Sequence, residues 1–122
     1  PIGIQPDFTV SHFIPENQAA LYRLNGDFNP LHVEPDFAKR GGFPRPILHG
    51  LCTYGHAVRA ILYKACDGDV GRFKEFKARL SGVVYPGDSL VTEGWRDTGG
   101  RYLIQSRTDR GVVLSHAYAR VE

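Results

Sequence analysis

A chain of 122 residues, 42% hydrophobic and 23% charged, is sized for one domain around one core, which excludes a disordered tail, a fibrous repeat and two ordinary domains. No apolar run reaches the length of a membrane span, two cysteines are too few for a disulfide framework, and the five histidines form no HxH or HExxH metal pattern. The net charge of +2 is mild but uneven: nine of the fifteen Lys and Arg lie between Lys39 and Arg79, against three acids. That bias suits a small anionic partner, while the reading motifs of nucleic-acid-binding proteins are missing.

The start, "PIGIQPDF", has no initiator Met and two prolines. We expect from it a piece of a longer chain, entered at the end of a linker, with reduced thiols in an intracellular compartment. Residues 7–14, "DFTVSHFI", alternate apolar and polar positions and predict a strand. Pro15 suits a first helical position, where its missing N–H costs nothing, and "PENQAALYRL" predicts a short helix buried on Ala19, Ala20, Leu21 and Leu24. Asn25-Gly26 ends it, and Pro30 pushes Asn29 out of helical angles. A further helical turn is expected over 34–43, stopped by Gly41-Gly42.

The strongest helix follows "FPRPILHG". Leu51, Tyr54, Val58, Ile61, Leu62 and Ala65 recur at three- and four-residue steps and predict its buried face, with Cys52, His56, Arg59 and Tyr63 opposite. Gly55 costs about 1 kcal/mol there relative to Ala, and we read it as a close approach of another backbone. Beyond Val70 the period changes. "RFKEFKARLSGVVY", "SLVTEGWRD", "RYLIQSRTD" and "GVVLSHAYARV" predict four strands, and the short turns between them predict antiparallel hairpins. The expected architecture is a single α+β domain over residues 1–122, with a long helix laid on an antiparallel sheet.

Chemistry concentrates in "NGDFNPLH", residues 25–32. A carboxylate at Asp27 and an imidazole at His32 can share one water, one taking its proton while the other orients it, and the Asn29 amide can hold either partner. By composition alone the stretch reads more readily as an ordinary turn. "RPILHGL" puts Gly50 at the start of the long helix, where unpaired N–H groups can hold an anion or a developing oxyanion and glycine admits a close substrate. His49 is expected to pack or to make a local hydrogen bond. Nothing marks Cys52 as an activated nucleophile. Phe73, Phe76, Trp95, Tyr102 and Tyr118 read as strand packing.

The stretch from Leu21 to Gly55 resembles the MaoC-like family of hot-dog-fold hydratases and dehydratases, above all the type 2, (R)-specific enoyl-CoA hydratases. Their motif runs G-D-x-N-P-x-H-x-x-x-x-x-A, then G-F-x-x-P-I-x-H-G. Gly26, Asp27, Asn29, Pro30, His32, Ala38, Gly42, Phe43, Pro46, Ile47, His49 and Gly50 all fall in place. The one small departure is Glu34, where many relatives have Asp.

The resemblance implies an antiparallel sheet wrapped around a long helix, and syn hydration of a trans-2-enoyl-CoA to the (3R)-3-hydroxyacyl-CoA. Asp27 and His32 would activate the water, Asn29 would support them, and the Gly50 N–H would hold the thioester oxygen. No metal or redox cofactor is implied, since CoA enters as part of the substrate, and basic residues of the 39–79 region become candidates for its phosphates. The implied partner is a second hot-dog domain, in a homodimer or in the same parent chain as the other half of a double hot dog. The implied compartment is the peroxisome in a eukaryote or the cytoplasm in a bacterium. A hot-dog acyl-CoA thioesterase and a non-catalytic acyl-CoA-binding module are the alternatives.

Overall fold

The computed structural model describes residues 4–122, so the first three residues of the proposed linker end lie outside it. In chain order the elements are β1 (Phe8–Phe13), α1 (Gln18–Tyr22), α2 (Pro35–Arg40), α3 (Gly50–Ala65), β2 (Phe73–Leu80), β3 (Ser89–Arg96), β4 (Arg101–Thr108) and β5 (Gly111–Val121). Single 3-10 turns cover Arg23–Asn25, Pro30–His32 and Val70–Arg72. The five strands form one antiparallel sheet in the order β1-β3-β4-β5-β2, and α3 packs on it. No helix among the described residues is long and apolar enough to cross a membrane.

Two core clusters hold the helix to the sheet. The C-terminal half of α3 sets Ala57, Ile61 and Ala65 against Phe8, Tyr102, Ile104, Leu114 and Ala117. Ile61 and Leu114 are fully buried, and burying such a side chain stabilises by about 1.5–3 kcal/mol. The N-terminal half sets Cys52 among Ile14, Ala19, Leu48, Val84, Leu90 and Val113, with Tyr22 packed against them. Trp95 and Tyr102 are buried as strand packing, and Phe73 and Phe76 pack partly buried against the first cluster.

The structure corrects the expected pattern in five places. The first helix starts at Gln18, because Pro15 opens a turn closed by the Gln18 N–H on its carbonyl. Of its four expected core residues only Ala19 is buried, while Leu21 and Leu24 are 59% and 72% exposed. The buried face of α3 is rotated toward Cys52, Thr53, Ala57, Ala60, Ile61 and Ala65, and Leu51 is 67% exposed. Small side chains win that face because the helix lies close on the sheet, and close packing rewards fit over bulk.

Gly55 opens onto free space, with no backbone near it. The strand expected over 72–85 ends at Leu80. Gly82 then presses so closely on the Val112–Val113 backbone that a side chain there has no room. Finally, β2 and β3 are not a hairpin: β2 crosses to the far edge beside β5, and β3 pairs with β1 and β4. In the β2–β5 ladder an extra residue bulges between the Lys77 and Arg79 pairings, with His116 at φ +49°, which bends that edge.

Candidate active site

The 25–32 loop is shaped by local chemistry. Gly26 takes φ +116°, a left-handed conformation that glycine adopts freely, and reverses the chain after the Arg23–Asn25 turn. The Asp27 carboxylate accepts the Asn29 N–H at 3.3 Å, and the Asn29 side chain accepts the Leu31 N–H at 3.0 Å. Pro30 then opens the 3-10 turn that ends on His32. Asn29 therefore shapes the loop through its backbone N–H on the Asp27 carboxylate and its side-chain cap on Leu31, while its side-chain amide makes no hydrogen bond to the Asp27 or His32 side chain.

A second segment, 45–49, is laced to this loop. The Ile47 N–H donates to the Leu31 carbonyl at 3.4 Å, and the Leu48 N–H to the Val84 carbonyl at 2.7 Å. The His32 Nδ1–H donates to the Ile47 carbonyl at 2.8 Å. That bond assigns the tautomer: a neutral His32 keeps its Nε2 lone pair free to accept a proton. His49, 1% exposed, donates its Nε2–H to the Asp27 carbonyl at 3.2 Å. Its ring stacks on His32 at 3.8 Å between centroids, and Tyr22 leans on it from 4.6 Å.

Asp27, His32 and His49 each bring a donor atom within 4.8 Å of the other two. Three such atoms can gather a divalent cation. Here, though, the two imidazoles are nearly parallel, and their lone pairs lie in the ring planes rather than converging. The set is better arranged for hydrogen bonding than for coordination. Burial lowers the His49 pKa from its ordinary value, outweighing the Asp27 carbonyl's contribution in the other direction, so His49 stays neutral at physiological pH.

Gly50 is the first residue of α3, and His49 is its N-cap. The first N–H groups of a helix have no partner one turn back and carry the positive end of the helix dipole. A side chain at Gly50 would meet Leu80 Cδ1 at 2.7 Å. Glycine there thus serves the packing of β2 as well as access to the helix end.

Beside His32 lies a cleft of about 270 Å³ lined by Glu16, Ala19, His32, Val33, Arg45 and Pro86, among others. Of the nine basic residues between 39 and 79, Arg45 alone lines it. The others sit on α2, α3, β2 and the turn before β2. Arg45 donates to the Pro86 carbonyl at 2.8 Å and lies over the Tyr85 ring, which Arg110 also covers. Arg110 is ion-paired with Asp88. Burial works to raise that carboxyl, but the Arg110 and Tyr85 N–H hydrogen bonds outweigh it and hold Asp88 below the ordinary carboxylate range. Composition offered no signal for this brace, because it joins residues some forty positions apart.

Burial pushes the Cys52 thiol up to about 11, away from the reactive thiolate form.

Residues 1–115 match the family model described as "MaoC like domain". The chain belongs to the MaoC-like domain family. This MaoC-like chain is 50% identical over 115 residues to the peroxisomal multifunctional enzyme type 2 of Mus musculus, covering 93% of this chain and 16% of that protein. Against the peroxisomal enoyl-CoA hydratase 2 of Arabidopsis thaliana it is 52% identical over 106 residues, covering 86% of this chain and 34% of that one. A crystal structure of a MaoC-like dehydratase from Phytophthora capsici superposes with a TM-score of 0.94 at 38% identity, covering 98% of this chain and 41% of that chain. The hot-dog architecture expected from the sequence is therefore the observed one, and the chain spans well under half the length of these relatives.

Proposed function

We propose that this MaoC-like chain is the catalytic unit of an (R)-specific enoyl-CoA hydratase, converting trans-2-enoyl-CoA and water reversibly to (3R)-3-hydroxyacyl-CoA. The observation that carries the reading is His32: Nδ1 is committed to the Ile47 carbonyl, which leaves Nε2 to accept a proton, and a nitrogen of the ring lies within 4.8 Å of an Asp27 carboxylate oxygen. The name of the Arabidopsis relative, enoyl-CoA hydratase 2, supports the same chemistry.

In the proposed step Asp27 and His32 hold one water on one face of the enoyl group. Its oxygen bonds to C3 while the π pair moves toward C2 and the thioester carbonyl, whose oxygen gains enolate character against the Gly50 N–H. The proton taken from the water passes to C2 on the same face, which gives syn addition. Asn29 keeps the turn that aims the pair. No electrons leave or enter, so the reaction needs no redox cofactor, and the polarising role falls to the helix N-terminus rather than to a metal.

A second hot-dog domain is proposed as partner, by homodimerisation or within the same parent chain. Leu24, Phe28, Leu51 and Leu80 support it: all are exposed, and all flank the site. β2, an edge strand, offers free backbone groups for sheet extension. From the relatives' names we also propose the peroxisome as compartment in a eukaryotic source.

The test is to mix the protein with a trans-2-enoyl-CoA, follow loss of the conjugated enoyl absorbance, and assay free thiol in parallel. Hydration without thiol release, giving the 3R alcohol, is the expected result. Thiol release without hydration means a thioesterase; binding with neither signal means an acyl-CoA-binding module, or a domain that needs its partner for turnover.

A further inference from the structure

His49 makes two contacts with the site through different parts of one ring. Its edge donates to the Asp27 carbonyl at 3.2 Å, and its face stacks on His32 at 3.8 Å with the planes 26° apart. Tyr22 leans on the same ring, tilted, with 4.6 Å between centroids. Packing alone does not call for an imidazole here. His49 is 1% exposed, and its Nδ1 is buried with no hydrogen-bond partner. Leaving such a group unpaired is unfavourable, and an apolar ring of the same shape would avoid it. Only the Nε2–H bond to Asp27 distinguishes histidine from phenylalanine at this position.

We propose that His49 is a positioning residue for both Asp27 and His32, fixing their separation with one side chain that touches no substrate. This rests on the hydratase reading of the same site. The Nε2–H bond ties down the backbone of an otherwise exposed loop, so that the Asp27 carboxylate projects from a fixed Cα. The ring face sets the plane of His32, whose other restraint is the bond from Nδ1 to Ile47. Because burial keeps His49 uncharged, it performs both tasks without placing a second cation against His32.

Two substitutions separate the two contacts. His49→Phe keeps the stack and loses the donor; His49→Gln keeps an N–H at nearly the same reach and loses the stack. For His49→Phe we expect kcat to fall about tenfold, the rate equivalent of one lost hydrogen bond, with KM within about twofold. For His49→Gln we expect kcat to fall as well, with KM within about twofold, because the His32 ring loses the face that holds its plane.

A residue that merely packs would lower thermal stability in both variants and leave the kcat-to-KM split unchanged, and that outcome would overturn the proposal. Wild-type protein supplies a test independent of variant folding. Nitrogen chemical shifts should report His49 as the Nε2–H tautomer across neutral pH, and the Nδ1–H tautomer would also overturn it. Absence of enoyl-CoA hydration by the wild type would count against the hydratase reading, while the NMR measurements would still decide the positioning role.

Discussion

Among the described residues two histidine pairs lie close together, and their surroundings differ. His32 and His49 stack at 3.8 Å, and each commits one nitrogen to a backbone carbonyl of the neighbouring segment. His12 of β1 and His56 of α3 lie 4.5 Å apart around a cavity of about 100 Å³ that Val10, Arg59, Ala60 and Tyr63 complete. There the buried Nε2 of His56 has no partner, and no carboxylate lines the cavity.

Burial, then His12 and Arg59, push the His56 pKa down to about 4. His12 is lowered by burial and by Arg59. His56 also sits mid-helix, where backbone N–H groups are already bonded, whereas His49 caps a helix start. Imidazoles are thus common to both. What distinguishes the site is a fixed tautomer, an adjacent carboxylate and a helix N-terminus.

Removing the site's own groups should have the largest effect. Asp27→Asn or His32→Ala is expected to cut the hydration rate by about 10²–10⁴-fold, the range for losing a general acid or base. Asp27 is exposed and His32 only half-buried, so the thermal midpoint should barely move in either variant. Substantial turnover in both variants would remove the distinction between the two pairs.

Gly50→Ala tests the helix end. The new methyl displaces the half-exposed Leu80 side chain cheaply but crowds the approach of a thioester oxygen, and we expect a loss of about a hundredfold in rate. If the effect is crowding of substrate, adding Leu80→Ala will not restore activity. If it is crowding of Leu80 alone, the double variant recovers.

His56→Phe should leave the rate untouched and change acid stability instead. The folded pKa of His56 lies near 4 and the ordinary value is 6.5, so the unfolded chain binds the proton more readily between them. Stability falls as the pH drops from about 6.5 to about 4, by on the order of 3 kcal/mol at most. Denaturant midpoints measured across that window should flatten in the variant.

How far the sequence foretold these features follows from the range of the forces involved. Asp27, Asn29 and His32 were legible because a turn, a cap and a proline act within eight residues, and the family motif spans them. Gly50 was legible because a helix start is a local event. The role of His49 was not, since it depends on burial and on a carbonyl 22 residues away. The α3 face was misjudged because Leu51 outweighs Cys52, Ala57 and Ala60 in hydrophobicity but not in closeness of fit. The passage of β2 to the far edge follows from pairing with β5, some forty residues later, which no local turn signal reports.

The central claim is that Asp27 and His32 act on one water, and the most direct measurement is a double-mutant cycle on hydration by Asp27→Asn and His32→Ala. Groups that share one step lose their effect together, so the double variant should be about as slow as the slower single variant. Losses that multiply would contradict the claim and assign the two residues to separate steps.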